Sequence, residues 1–219
     1  MAVWRVSEPY INIWLRDKPL IYRPSRGLPV EIKLSYKQRD ETDNSGPWYT
    51  SPGLSWNFNY VSYVYTPAPW NGLAYGADVY FAGGGTAHYT VSLGANYYNN
   101  LALTYTWDGT KISQFELHHP DGSTDIYGFR RVDGSGGCNY WFLTKKIDPI
   151  GNEIQFSYPG YSSSDMNVKL GQITDVDGKT TSISYVTGTC YIDTITDPFS
   201  RTVTFSYTAN GSGDKLLTP

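Results

Sequence analysis

Apolar and polar side chains alternate in short runs along this chain, most regularly in its second half. Ile154, Phe156 and Tyr158 share one side of a run whose other side is polar, and the same period of two leads up to Tyr185 and Tyr207. Alternation with β-branched and aromatic residues on one side predicts strands that bury a single face. No long segment carries a helical period, so we predict almost no helix.

Each of these runs follows a segment typical of a tight turn. Three copies share an aspartate, a small residue three positions on and a tyrosine ten positions on: Asp148, Gly151 and Tyr158; Asp175, Gly178 and Tyr185; Asp197, Ser200 and Tyr207. A weaker copy has His119, Gly122 and Phe129 at the same spacing. Aspartate accepts hydrogen bonds from nearby backbone N–H groups, and glycine permits positive φ. One repeat is therefore a hairpin, which must pair with its neighbours to bury its apolar face.

The repeats predict an all-β fold with one large, curved antiparallel sheet. The alternation extends upstream across the hairpin signal Asp108-Gly109, so residues 101–207 are expected to hold about eight to ten strands. Residues 1–100 are less repetitive and richer in Trp and Pro. We expect opening strands and loops in residues 1–100 and the repeat meander in residues 101–219, continuous with the first part as one sheet.

Composition and charge exclude several classes of protein. The chain has 219 residues, a net charge of -3, 20 Tyr and 7 Trp. The charge gives no electrostatic reason to bind nucleic acid or an anionic membrane. No run approaches about 18 apolar residues, so membrane insertion is not expected. The first residues lack the basic and then apolar pattern of a signal peptide. We expect secretion or a cell-surface location by a non-classical route, or a cytoplasmic location before export.

Candidate catalytic and metal-binding groups are few. Asp121 with Asp125, and Asp175 with Asp177, are the nearest carboxylate pairs, but two acids without a geometry do not make a glycosidase. The "DVDG" stretch lacks the spacing of an EF-hand loop. His118 and His119 are strand neighbours that point to opposite faces, and His119 replaces the repeat aspartate as a hydrogen-bonded residue. We therefore expect no enzyme activity, no metal and no cofactor.

The chain has two cysteines, Cys138 and Cys190. Neither lies in the close Cys or His spacing of a zinc site. Two ordinary thiols are the expected state, while the sequence leaves a disulfide between them open.

The surplus of Tyr and Trp supports a second class of function. Exposed aromatic rings on a sheet make docking platforms for sugars or proteins. Trp48, Trp70 and Trp107 stand near predicted turns, as does Trp4. The alternative function is thus a carbohydrate- or cell-surface-binding β-module, and the competing interpretation is that these rings pack the inner face or rim of the sheet.

The repeats "KKIDPIGNEIQFSY", "ITDVDGKTTSISY" and "ITDPFSRTVTFSY" resemble the YD repeat of the RHS (rearrangement hotspot) family. Residues 6–40 also resemble the segment that opens an RHS shell, with Pro19-Leu20, Gly27-Leu28-Pro29 and Tyr36 at the corresponding places. Gly53 and Trp56 resemble the region that follows it. Together these stretches are distributed along the chain from residue 6 to residue 207.

The resemblance implies a hollow β-shell that encloses a C-terminal toxin domain in a bacterial polymorphic toxin. This chain would then be an open fragment of such a shell and a non-catalytic scaffold. Its implied partners are the remainder of an RHS shell or the enclosed C-terminal effector, with self-association through an open sheet edge. The chain lacks the family's "DPxGL" core motif, since Ile150 follows Asp148-Pro149 and Phe199 follows Asp197-Pro198, so no autoproteolytic aspartate is assigned.

Overall fold

The computed structural model describes residues 3–7, 12–38, 48–67, 76–90, 93–96, 98–132, 139–161, 167–209 and 215–218. Within these ranges every regular element is a β-strand, and the largest sheet is antiparallel throughout. The all-β prediction with a large, open antiparallel meander is confirmed. No helix in the described ranges is long and apolar enough to cross a membrane.

The strands follow one another with few long connections. In chain order they are β1 Val3–Ser7, β2 Asn12–Tyr22, β3 Val30–Lys37, β4 Trp56–Phe58, β5 Tyr63–Thr66, β6 Ala77–Tyr80, β7 Thr86–Tyr89, β8 Gly94–Asn96, β9 Leu101–Trp107, β10 Ile112–His118, β11 Thr124–Val132, β12 Asn139–Ile147, β13 Glu153–Ser157, β14 Gln172–Thr174, β15 Thr180–Tyr185, β16 Ile192–Thr196, β17 Thr202–Thr204, β18 Ser206–Ala209 and β19 Lys215–Thr218.

The described strands form three sheets. Strands β1 to β4 make a four-stranded sheet in sequence order, β5 to β17 make the 13-stranded main sheet, and β18 pairs with β19. The main sheet therefore begins at residue 63 and takes in β5 to β8 from the first hundred residues. The domain division at residue 100 stays a prediction.

Strand β12 is the point at which the main sheet forks. Its first half, residues 139–142, pairs with β5, and its last residues, 145–147, pair with β13. One branch continues from β5 through β6 to β7, and the other runs from β13 to β17. Because one long strand serves both branches, the opening part of the chain and the repeats share a backbone ladder.

The four-stranded sheet and the main sheet bury their apolar faces in one core. On β3 the period of two buries Val30, Ile32 and Leu34, which are 0–5% exposed. The repeats bury the side that the sequence predicts, including Phe156 at 5% and Ile173 at 0%. These residues belong to a single cluster, so neither half of the chain buries its apolar face independently.

The predicted state of the cysteines is settled only in part. Cys190 is buried, and Cys138 lies outside the described residues. The expectation of two ordinary thiols therefore stays a prediction.

Candidate functional site

The turns at the three repeat aspartates have the same hydrogen bonds. In each turn the aspartate N–H donates to the carbonyl four residues on, and the N–H three residues on donates to the aspartate carbonyl, at 2.9–3.0 Å. Oδ1 of Asp148, Asp175 and Asp197 also accepts the N–H groups two and four residues on, at 2.8–3.1 Å. All three carboxylates are thus used to close turns.

Hydrogen bonding keeps two of these buried carboxylates ionised. The Asn152 side chain and the turn N–H groups lower the pKa of Asp148, against the opposing effect of burial. At Asp197 burial raises the pKa, and the hydrogen bonds from the Arg201 backbone and guanidinium outweigh it, so the pKa is lowered. These shifts match structural caps rather than acids that hold a proton near neutral pH.

The third residue after each repeat aspartate, and after His119 in the weaker copy, adopts a left-handed backbone. Gly122, Gly151 and Gly178 have φ of 88°, 89° and 77°, and Ser200 has φ of 64° in the same place. Glycine adopts this conformation without a steric cost, whereas serine does not. The position three residues after the start of the repeat is therefore left-handed in all four copies, including the copy that carries serine.

The repeat tyrosines bind backbone carbonyls by one rule. The hydroxyls of Tyr158, Tyr185 and Tyr207 donate to the carbonyls of residues fifteen positions earlier, at 2.6–2.7 Å; these are Leu143, Leu170 and Ile192. Burial raises the pKa of all three tyrosines well above its ordinary value, so the hydroxyls remain neutral donors. Each accepting residue stands five positions before the repeat aspartate.

The weaker copy shows what happens without the hydroxyl. Phe129 takes the tyrosine position and stacks on Tyr158, with ring centroids 4.5 Å apart. His119 takes the aspartate position, and the backbone keeps the same two turn bonds. The fold of the hairpin therefore tolerates both replacements, while the two side-chain bonds are specific to the three stronger copies.

The residue that accepts each tyrosine hydroxyl is also held through its own N–H group. Leu143 donates to the Ser62 carbonyl at 3.2 Å, Leu170 to Thr50 Oγ1 at 2.8 Å, and Ile192 to the Ser51 carbonyl at 2.9 Å. All three acceptors belong to residues 50–62. Sequence analysis missed this contact, because only the aliphatic character of the position was visible along the chain.

Residues 48–54, which we name the strap, cross the successive repeats. Thr50 N–H donates to the Val168 carbonyl at 3.0 Å, Ser51 N–H to the Cys190 carbonyl at 2.9 Å, and Leu54 N–H to the Lys215 carbonyl at 3.0 Å. Val168 and Cys190 stand seven positions before Asp175 and Asp197. The strap therefore meets equivalent positions of two neighbouring repeats in order.

A second opening segment, residues 21–29, lies along the row of repeat turns. Arg201 donates to the Ile21 carbonyl at 2.9 Å, and Ser25 N–H donates to the Asp177 carboxylate at 2.7 Å. At Gly27 an added Cβ would lie 2.7 Å from Asn152 Cβ, and its φ is 75°. Three turns are thus contacted by three points of one segment, and Gly27 is required by both the close approach and the backbone.

The three tryptophans proposed as ligand platforms lie in different settings. Trp48 is half-buried, with the Arg131 guanidinium 4.0 Å over its ring and Tyr140 at 4.7 Å. Trp70 lies outside the described residues. Trp107 is 46% exposed at the end of β9, and Trp4 is 69% exposed on β1. Among the described residues, no ring contact joins Trp4, Trp48 and Trp107.

The remaining candidate groups are engaged in local contacts. Asp121 accepts the Ser123 N–H at 2.9 Å. Asp125 is buried against Lys146 Nζ at 2.7 and 2.8 Å, and His119 Nε2 lies 3.3 Å from it. Asp125 and Lys146 stand where the other copies carry uncharged residues. Within the described ranges, no group of three His, Cys, Asp or Glu residues is placed to hold a metal.

Comparison with known proteins yields likeness at the level of structure alone. No protein-family model and no curated protein matches this chain. The chain matches a Tc holotoxin pore of Photorhabdus luminescens with a mutated TccC3, at 15% identity and a TM-score of 0.49, over 99% of this chain and 11% of the other. It therefore spans about a tenth of that chain.

A second match is the N-terminal domain of the effector protein SpvB from Salmonella typhimurium. It has 14% identity and a TM-score of 0.39, and the match covers 89% of this chain and 72% of the other. Because identity and TM-score are low in both cases, the fold assignment rests on the strand pairing described above and not on these likenesses.

Proposed function

We propose that this chain is a non-catalytic structural scaffold, a wall segment of an RHS/YD-repeat shell that encloses a C-terminal toxin or effector. The observation that carries the proposal is one arrangement of side-chain hydrogen bonds that recurs in three copies. In each copy a buried aspartate closes the turn, and a tyrosine hydroxyl ten residues later binds a carbonyl that precedes the turn. Hydrogen bonds that recur identically in successive repeats are typical of an extended structural sheet, whereas an active site needs one particular arrangement of catalytic side chains.

The use of the polar side chains supports the absence of catalysis. Asp175 closes a turn, and Asp177 binds Ser25. Asp121 closes its own turn, and Asp125 pairs with Lys146. Each member of the two candidate carboxylate pairs thus has a structural partner, which leaves neither pair disposed as a general acid and base.

The outer strand β17 supports the proposed partners. Among the described strands it ends one branch of the main sheet, pairing with β16 on one side. A strand at a sheet edge offers unpaired backbone groups to a further strand. The remainder of an RHS shell is the proposed partner there, with the effector behind the wall, in a bacterial protein exported by a non-classical route.

Light scattering tests whether β17 is an association edge. The wild-type chain should show a mass that rises with concentration, because its edge can pair with another copy. The double variant Thr202→Lys, Thr204→Lys places charge on two exposed positions of β17 and should remain a monomer. Ser182→Lys, exposed on the interior strand β15, is the matched control and should associate like the wild type.

Two results would count against the wall proposal. If the wild-type chain stays monomeric at all concentrations, β17 does not pair with a strand of another copy. Association that persists in the β17 double variant must use another surface.

The second candidate function, a carbohydrate- or cell-surface-binding module, has the exposure of Trp107 and Trp4 in its favour. It predicts a saturable glycan signal from the monomer on a glycan panel, and loss of that signal in Trp107→Ala. A panel without any signal on the folded chain would remove this candidate.

A further inference from the structure

The outer face of the four-stranded sheet forms a cleft that neither the wall nor the repeats use. Since β3 buries Val30, Ile32 and Leu34, alternation turns the intervening side chains to the other face. The turn between β6 and β7 covers part of this face and borders an open cleft of about 770 Å³, within the usual size range of ligand pockets. The residues that line it include Trp14, Arg16, Lys33, Ser35, Gly83 and Gly84.

Positive charge is concentrated around this cleft. Arg16, Lys18 and Lys33 line it, and the Lys37 ammonium stands 4.9 Å over the Trp14 ring. Within the part of the chain that the structure describes, two carboxylates oppose these four cations: Asp17 in the lining and Glu31, which pairs with Lys33 and Lys18. An excess of positive charge therefore remains on a chain whose net charge is -3.

Arg16 is the cation best placed to meet a ligand. Its side chain is exposed in the cleft and makes no ion pair with any residue in the described ranges. It lies opposite Ser35 on the neighbouring strand, and Trp14 lies opposite Lys37. A guanidinium, a hydroxyl, an ammonium and an indole thus stand together on one face of two paired strands.

The turn between β6 and β7 forms one side of the cleft and carries three consecutive glycines. Gly83, Gly84 and Gly85 have φ of 84°, 89° and 111°, which only glycine adopts without strain. A Cβ on Gly84 would collide with the Lys37 ammonium. Gly84 therefore lets the turn approach the Lys37 side chain closely, whereas an added Cβ on Gly83 would lie 3.7 Å from Ser35 Oγ and one on Gly85 would meet no atom within 4 Å.

We propose that this cleft binds an acidic saccharide, with Arg16 and the neighbouring lysines on the sugar carboxylate and Trp14 against the sugar ring. Arginine recognises carboxylates through paired N–H donors. An indole provides apolar surface for the C–H face of a sugar, and Ser35 can bond its hydroxyls.

Other ligand classes fit the cleft less well. A peptide commonly adds to a strand edge or lays a helix in an apolar groove, and this cleft is a charged side-chain face. Single-stranded nucleic acid uses successive aromatic rings along a basic track, and among the described residues Trp14 alone contributes a ring to this cleft. The inference is independent of the wall proposal, because it uses the opposite face of a different sheet.

Isothermal titration calorimetry on the 219-residue chain tests the site with three probes: trigalacturonic acid, neutral maltotriose and hexaglutamate. Trigalacturonic acid should bind, and its affinity should fall with added salt. The other two should bind at least about tenfold more weakly, a factor that corresponds to one lost strong contact.

Two variants locate the site, and a third is the control. Arg16→Gln and Trp14→Phe should each weaken trigalacturonic acid binding, Arg16→Gln by about tenfold or more. Tyr105→Phe, at an exposed aromatic residue on β9 outside the cleft, should bind like the wild type. Arg16 is exposed, so its variant keeps the fold, which circular dichroism verifies.

Three results would overturn the proposal. Equal binding of hexaglutamate would mean a patch that attracts any polyanion, and equal binding of maltotriose would mean that the carboxylate is not recognised. Absence of trigalacturonic acid binding to the folded wild-type chain would remove the site. None of these results bears on association through β17, so the two proposals fail separately.

Discussion

At the scale of single residues, each repeat tyrosine combines an apolar ring with a buried hydrogen-bond donor. Tyr185 fills the apolar face with its ring and reaches Leu170 and Thr50 with its hydroxyl, at 2.7 and 2.8 Å. Phenylalanine would supply the burial but leave the buried carbonyl without its donor. The hydroxyl therefore adds specificity of register to the hydrophobic contribution of the ring.

Removing that hydroxyl should be costly. Tyr185→Phe deletes two buried hydrogen bonds and should lower the free energy of unfolding by about 1–2 kcal/mol in urea denaturation. Tyr105→Phe is the control, because Tyr105 is 46% exposed and should lose almost nothing. Equal losses in the two variants would mean that the hydroxyl bonds contribute nothing specific.

The left-handed turn position offers a reciprocal exchange. Ser200→Gly should relieve a strained φ of 64° and raise the free energy of unfolding by about 0.5–1 kcal/mol. Gly178→Ser imposes the same strain on an open turn, where an added Cβ meets no atom within 4 Å, and should lower it by about 1 kcal/mol. Shifts of the same sign in thermal or urea unfolding would refute the assignment of strain.

At the scale of elements, the aspartate turn fixes where each hairpin reverses. The carboxylate satisfies backbone N–H groups that the tight turn leaves without strand partners, so burial of the charge is compensated by hydrogen bonds. At Asp197 the Arg201 guanidinium adds an ion pair at 2.6 Å. The turn is therefore an electrostatic as well as a conformational unit.

The turns should make stability sensitive to acid. Because the folded pKa of Asp197 is depressed below its ordinary 3.8, its contribution is present above that value and is lost as pH falls through the lower folded pKa. Asp197→Asn keeps an oxygen acceptor but removes the titration. Between about pH 5 and about pH 3, its urea midpoint should fall less steeply than that of the wild type.

An exposed substitution that removes no carboxylate is the control for this effect. Thr208→Asn on β18 should keep the wild-type pH slope. Parallel curves for Asp197→Asn and the wild type would show that this carboxylate titrates alike in the folded and unfolded chains.

At the scale of the whole molecule, the opening segments hold the repeats from two sides. The strap binds the residues five and seven positions before the repeat aspartates, and residues 21–29 lie along the turns. The repeats are therefore hydrogen-bonded to segments that lie more than a hundred residues away in the sequence. Thr50 is the sharpest example, since its hydroxyl contacts both Leu170 and Tyr185.

A double-mutant cycle measures this fastening. Thr50→Val removes the hydroxyl from a site that is 3% exposed and should lower the free energy of unfolding by about 1–3 kcal/mol. Combined with Tyr185→Phe, the losses should be non-additive by at least about 0.5 kcal/mol, because both variants break the same bond. Thr50→Val with Tyr207→Phe, which share no hydrogen bond, should be additive. Additive losses in both pairs would mean that Thr50 and the Tyr185 hydroxyl stabilise the fold independently of each other.

The sequence indicated most of the strands and turns but few of the long-range contacts between them. Alternation and the Asp, Gly and Tyr spacing located strands β12 to β17 and the turns, while the left-handed backbone of Ser200 is known only from the structure. They did not reveal that Trp48 lies under Arg131, and they singled out Trp107 but passed over Trp14. Whether a ring at the end of a strand is covered depends on which distant segment reaches it, and no local pattern records that.

The sequence by itself determined the hairpin unit, because a strand's period and a turn's hydrogen bonds involve residues within about a dozen positions of one another. Only the tertiary structure decided the fork at β12, the path of the strap and the cleft beneath the glycine turn. These depend on contacts such as Thr50 with Tyr185, 135 positions apart. Such contacts are selected by the packing of complete faces in one core, where many local patterns are satisfied together and none is sufficient alone.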